Sequence, residues 1–175
     1  LCSHSVQTAK ATFINDQEKE LVLKTVIEET NGRVPVYAGT GCISTKDTIR
    51  MSKMAESLGA DVLSIITPSF AAASQNELYE HFKAVAEAVP NMPIVLYNIP
   101  ARTGNAIAPD TVGRLAEIDN IVGAKDSSGN FNNILEYIAK TDKNFSVLSG
   151  NDALIIWNLL AGGTGGIAGL RKPLS

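Results

Sequence analysis

A chain of 175 residues, 45% hydrophobic and 19% charged with a formal net charge of -3, has the composition of a globular protein with room for one domain. Its 15 Lys and Arg against 18 Asp and Glu, with no basic run, lack the footprint of a nucleic-acid binder, and no apolar stretch approaches the roughly 18 residues of a membrane span or forms an ordered secretory leader. Cys2 and Cys42, with only His4 and His81 beside them, fit neither zinc-ligand spacing nor a disulfide framework, so no metal is expected and the cytosol is the expected compartment.

In chain order, helical and strand patterns alternate. Asp16 to Thr30 reads as an amphipathic helix with Asp16 as its cap, and Val34 to Ala38 as a strand. A helix over Lys46 to Leu58 follows, opened by Ser44 or Thr45 and closed by Gly59, then a strand over Asp61 to Ile66. Gln75 to Val89 and Pro93 to Tyr97 repeat the pair, as do Pro109 to Glu117 and Asn120 to Lys125, the proline fitting a first helical turn. Asn130 to Lys140, Phe145 to Ser149, Asp152 to Leu160 and a fainter strand over Gly166 to Gly169 complete the series. Each strand is nearly all apolar, as one covered on both faces should be. Strand starts about 20 to 32 residues apart fit right-handed crossover units with short loops. Such units build either a doubly wound open sheet or a closed eight-stranded barrel, and periodicity does not choose between them. Gly163 to Ala168 matches G-x-G-x-x-A but follows a helix instead of a strand, so it reads as a helix-to-strand turn.

Chemistry concentrates just past three strand ends, in Tyr97 to Gly104, Gly123 to Gly129 and Ser149 to Asp152, where either architecture places its active site. Lys125 closes an apolar strand. Desolvation disfavours the charged form of an amine, and a neutral amine attacks a ketone carbonyl to form an imine. The alternative is a lysine that snorkels into solvent or pairs with Asp126. Tyr97 ends the preceding strand in the same way; it either passes protons beside the amine or plugs the mouth of the core with its hydroxyl wet. Arg102, between Pro100 and Gly104, suits a two-pronged clamp on a carboxylate. Asn151 and Asp152, like Asp126 to Gly129, stand where a helix needs its cap as much as where a substrate needs polarising. His81, between Glu80 and Phe82, is expected on the surface, and Cys42 is expected to be small rather than reactive.

The phrases Ala38-Gly39-Thr40-Gly41, Gly59-Ala60-Asp61, Thr67-Pro68, Tyr97-Asn98-Ile99-Pro100, Gly123-Ala124-Lys125 and Ser149-Gly150-Asn151-Asp152 resemble, in order and spacing, the dihydrodipicolinate synthase and N-acetylneuraminate lyase family of class I aldolases. The resemblance runs from about Ala11 to Gly169. It implies a (β/α)8 TIM barrel acting without metal or organic cofactor, with pyruvate held as an imine on Lys125 and Tyr97 shuttling protons. It places the backbone around Ile167 near the pyruvyl carboxylate. Arg102-Thr103-Gly104 resembles the synthase branch, in which an arginine holds the carboxylate of aspartate semialdehyde; the sialic-acid lyases and 2-keto-3-deoxy sugar acid aldolases usually lack it. The resemblance also implies a homo-oligomer, a dimer of dimers, for the full-length parent.

The departures set further expectations. At roughly 31 residues per unit a barrel of about 250 residues outgrows this chain, which has room for about strands 3 to 8 and is expected to be truncated or frame-slipped. Residues 1 to about 10 and 170 to 175 read as divergent, and 11 to 169 as the partial barrel. Ser5 to Ala9 stand where the family carries a Gly-Thr-Thr-Gly-Glu turn whose threonine joins the proton relay. Ser69 and Phe70 stand where synthases commonly have two tyrosines, the second crossing a dimer interface, and Phe70 cannot conduct a proton. The rival expectation is an impaired barrel that only binds or self-associates through open sheet edges.

Overall fold

A computed structural model describes residues 4–6 and 14–167. Its strands are β1 (His4–Val6), β2 (Val36–Gly39), β3 (Val62–Ile66), β4 (Ile94–Asn98), β5 (Ile121–Asp126), β6 (Ser146–Ser149) and β7 (Gly165–Gly166). The helices are α1 (Asp16–Thr30), α2 (Thr45–Leu58), α3 (Gln75–Ala88), α4 (Pro100–Thr103), α5 (Pro109–Leu115), α6 (Phe131–Lys140) and α7 (Ile155–Leu160), the last preceded by a 3-10 turn at Asp152–Leu154.

All seven strands are parallel and pair in the order β1-β2-β3-β4-β5-β6-β7. That order decides between the two architectures. A doubly wound sheet reverses its strand order at a switch point, whereas a barrel wall adds each strand beside the one before it. Among the described residues no pairing joins β7 to β1, so the wall is open.

Local chemistry accounts for the boundaries. Asn15, rather than Asp16, caps α1, in a reciprocal box with Glu18, because the Asn15 backbone is extended and its side chain accepts from the Glu18 amide. Ser74 and Glu77 form the same box on α3. Ser44 caps α2, and Gly59 ends it at φ 90°, a left-handed turn that glycine adopts without cost. β1 and α4 were not expected: a three-residue strand and a four-residue helix carry no period, and both depend on their neighbours. β1 falls inside the segment read as divergent, and of the strand expected over Gly166 to Gly169 only the first two positions lie among the described residues.

The core separates the two faces of the sheet. Leu63, Ile65, Ile94, Leu96, Ala124 and Val147 pack with Phe82, Val85, Leu115, Ile134 and Tyr137 of the surrounding helices. By strand alternation the intervening residues Ser64, Val95, Tyr97, Gly123 and Lys125 face the other way. A bulge between Ile94 and Val95 shifts the β4–β5 register, so that Val95 meets Gly123 and Tyr97 meets Lys125.

Candidate active site

Tyr97 and Lys125 are paired across β4 and β5 on the face turned away from the helices. Lys125 is 7% exposed and Tyr97 8%. The Lys125 Nζ stands 4.0 Å from the centroid of the Tyr97 ring, a cation–π distance when the amine is charged. That geometry bears on a snorkelling lysine and on a pair with Asp126. It does not reach bulk solvent, and its neighbour Asp126 is engaged elsewhere: the Asp126 carboxylate accepts from Asn98 Nδ2 at 2.7 Å, from the Ser128 amide at 3.0 Å and from Ser128 Oγ at 2.6 Å. Asn98 in turn accepts the Ile107 amide at 3.0 Å, and Tyr137 donates to the Ile107 carbonyl at 2.7 Å. This network ties the ends of β4 and β5 to α6 and fixes the strand ends that carry the amine and the phenol. Burial, then the Asp126 charge, pushes the Tyr137 phenol far above its usual value, so it stays a hydrogen-bond donor.

Gly150 forms the floor beside Lys125. A Cβ there would overlap the Ser127 hydroxyl and stand 2.9 Å from Lys125 Cε. Glycine is required because two side chains occupy the space its own would fill.

Arg102 lies on α4, directly after β4, and is exposed. With Thr67 and Thr103 it lines a cavity of about 780 Å³ between the C-terminal ends of β2 and β3 and helices α1 and α2. Neither Lys125 nor Tyr97 lines that cavity; it is linked to them through Ile66, the register partner of Tyr97, and through the amide of Thr67, which donates to the Tyr97 carbonyl at 3.4 Å. Ile167 follows β7 and is buried, its amide donating to the Ser149 carbonyl at 2.9 Å. The structure thus brings Lys125 and Tyr97 into contact. Arg102 and Ile167 stand past the C-terminal ends of β4 and β7, on the same end of the sheet.

Two secondary expectations resolve. His81 is buried rather than on the surface: it is 6% exposed, its Nδ1 is 2.9 Å from Thr45 Oγ1 and its buried Nε2 has no partner. Burial lowers its pKa to about 4, so it is neutral at physiological pH. Cys42 lines the cavity half-buried, and desolvation pushes its thiol up, away from the reactive thiolate. Asn151 caps the 3-10 turn and Asn130 caps α6. Ser127, grouped by sequence with those capping residues, caps nothing; its buried Oγ has no hydrogen-bond partner. Among the described residues no three His, Cys, Asp or Glu side chains gather as metal ligands would.

Comparison with known proteins bears on this arrangement. The model of the Dihydrodipicolinate synthetase family matches residues 7–171. The chain is 43% identical over 158 residues to the 4-hydroxy-tetrahydrodipicolinate synthase of Bacillus velezensis and 44% identical over 161 residues to that of Acetivibrio thermocellus, alignments covering 90% and 92% of this chain and 54% of each relative. A dihydrodipicolinate synthase structure from Bacillus anthracis superposes with a TM-score of 0.91 at 37% identity, covering 94% of this chain and 57% of that one. The chloride-inhibited dihydrodipicolinate synthase of Acinetobacter baumannii, complexed with pyruvate, gives 0.90 at 38% identity, with 96% and 58% covered. The chain spans about half the length of the curated relatives it matches. With the sequential strand order, this likeness makes the fold an incomplete (β/α)8 barrel.

Proposed function

Because this chain belongs to the dihydrodipicolinate synthetase family, we propose that its chemistry is pyruvate-dependent carbon–carbon bond formation through an imine on Lys125, most closely that of a 4-hydroxy-tetrahydrodipicolinate synthase joining pyruvate to aspartate semialdehyde. The observation that carries the reading is the buried Lys125 amine, 4.0 Å from the Tyr97 ring and with no carboxylate in salt-bridge contact among the described residues. An amine attacks a keto carbon through its lone pair, and a phenol beside it can carry protons to and from the intermediates.

The steps follow from that geometry. The Lys125 nitrogen adds to the keto carbon, the carbonyl electron pair moves to oxygen, and water leaves as the nitrogen lone pair forms the C=N bond. The iminium then withdraws electrons from the adjacent methyl, which loses a proton to give an enamine. The enamine carbon attacks the aldehyde. Tyr97 carries protons at the carbinolamine and the enamine, the backbone at Ile167 borders the pyruvyl carboxylate, and Arg102 clamps the carboxylate of the incoming aldehyde. No metal or organic cofactor enters these steps. Arg102 favours the synthase over the sialic-acid lyase and keto-deoxy sugar acid aldolase chemistries, and the proposed setting is the cytoplasm.

A second reading rests on the open wall. β1 and β7 each present an unpaired edge among the described residues, which fits a barrel remnant that binds keto acids weakly or self-associates. Borohydride reduction in the presence of pyruvate separates the two. The expected result is a stable mass adduct on Lys125 that Lys125→Ala abolishes; a folded chain without an adduct overturns the enzymatic reading.

A further inference from the structure

One polar atom beside the amine is unaccounted for by the reaction as derived. Ser127 lies two residues past Lys125 and continues the ladder, its amide donating to the Asn98 carbonyl at 2.8 Å. Its side chain therefore projects to the same side as that of Lys125. Both side chains crowd over Gly150, where a Cβ would meet the Ser127 hydroxyl and Lys125 Cε together. Its sequence neighbour and the serine ending β6 are both engaged: Ser128 Oγ bonds Asp126, and Ser149 Oγ donates to the Asn151 carbonyl at 2.9 Å. Among the described residues the Ser127 hydroxyl is the one hydroxyl buried with no partner. A buried hydroxyl without a hydrogen bond is a cost to the folded state, and such groups call for an explanation in function.

We propose that Ser127 is a positioning residue for the substrate oxygen at the carbon Lys125 attacks, donating a hydrogen bond to that oxygen in the carbinolamine. The inference rests on the imine reading above. The Tyr97 ring stands 4.0 Å from the amine on the β4 side, and the Ser127 hydroxyl lies against Gly150, which Lys125 Cε also borders; the proposal puts the oxygen on the carbon bonded to Nζ within reach of both. As the C–N bond forms, the carbonyl electron pair moves to that oxygen, where a preorganised donor is worth most. As water leaves, the C–O bond breaks and the same oxygen takes a proton. Tyr97 delivers the proton; Ser127 keeps its own throughout and only orients the leaving group.

The test is the rate of pyruvate adduct formation on the 175-residue chain under borohydride, with thermal unfolding measured on each variant. Ser127→Ala is expected to slow trapping about tenfold or more. Its unfolding midpoint should hold or rise, since the substitution removes a hydroxyl that bonds to nothing. Ser127→Thr, which keeps the hydroxyl, should restore most of the rate. The pH midpoint of trapping should stay where it is, because serine does not titrate in this range. An unchanged rate in Ser127→Ala overturns the role of Ser127 while leaving the imine intact. A slower rate accompanied by a lowered midpoint, and not restored by threonine, reduces Ser127 to a packing residue and overturns it equally. Absence of any adduct in the unaltered chain overturns the imine reading itself, and this inference with it.

Discussion

Two residues on this chain make sharp demands on their surroundings. Gly150→Ala would place a methyl on the Ser127 hydroxyl and within 2.9 Å of Lys125 Cε, overpacking that costs about 1–3 kcal/mol. The variant should lose pyruvate trapping more completely than it loses stability, a split read by pairing adduct mass with urea unfolding. His81 makes an electrostatic demand. Its folded pKa of about 4 lies below the ordinary histidine value of 6.5, so between those values the unfolded chain binds a proton that the folded chain refuses. Stability therefore falls as pH drops through that window and is unaffected by this group above it, the full loss being about 3 kcal/mol. His81→Gln should flatten the difference in urea midpoint between pH 7 and pH 4.5; an unchanged slope would remove His81 as the cause. Lys125 and Tyr97 were legible as residues because a polar group ending an apolar strand has few reasons to be there. His81 was not, because one histidine among Glu80, Phe82 and Lys83 gives no hint of which helical face the fold covers. Nor was Ser127, since the run from Asp126 to Asn130 reads as caps and only three-dimensional packing shows which hydroxyl is left over.

The loop after β3 is held by one amide side chain. Asn105 accepts from the Ala73 amide at 2.8 Å and donates to the Pro68 and Ala71 carbonyls at 2.9 and 2.8 Å. Asn105→Ala would strip three hydrogen bonds from a half-buried backbone segment and should cost about 2–3 kcal/mol, with increased proteolysis confined to 68–73. Cleavage spread over the sheet instead would show that the loop is not an independent unit. The βα alternation that places such loops could be read from the chain, and its boundaries moved by only one or two residues wherever a cap residue marked them. The exceptions are instructive. β1 exists through its pairing with β2, and α4 is a single turn pinned by Gly104 at φ 78°, so neither leaves a pattern in its own residues.

On the scale of the molecule, Phe70 is the most conspicuous surface feature. It is 98% exposed and sits at φ 82°, a left-handed conformation that costs a bulky residue about 1–2 kcal/mol. Under the self-association proposed above, burial of this ring against a second copy would offset that cost, and Phe70→Gly should weaken the association at least about tenfold without lowering the unfolding midpoint of the monomer. Sedimentation at graded concentrations reads this directly; identical profiles would take Phe70 out of any interface. The choice of barrel over doubly wound sheet lay beyond sequence periodicity because both use the same unit, and strand order is a property of the assembled sheet.

That strand order has a corollary for how the molecule loosens. Because each strand pairs only with its sequence neighbours among the described residues, opening should begin at β1 and β7 and travel inward, with β4 and β5 the last to give way. The amides of 94–98 and 121–126 should accordingly exchange with deuterium most slowly, and those of β6 and β7 earlier. The amine and the phenol are thereby seated where breathing motions should arrive last, so opening at β1 or β7 leaves Lys125 and Tyr97 paired.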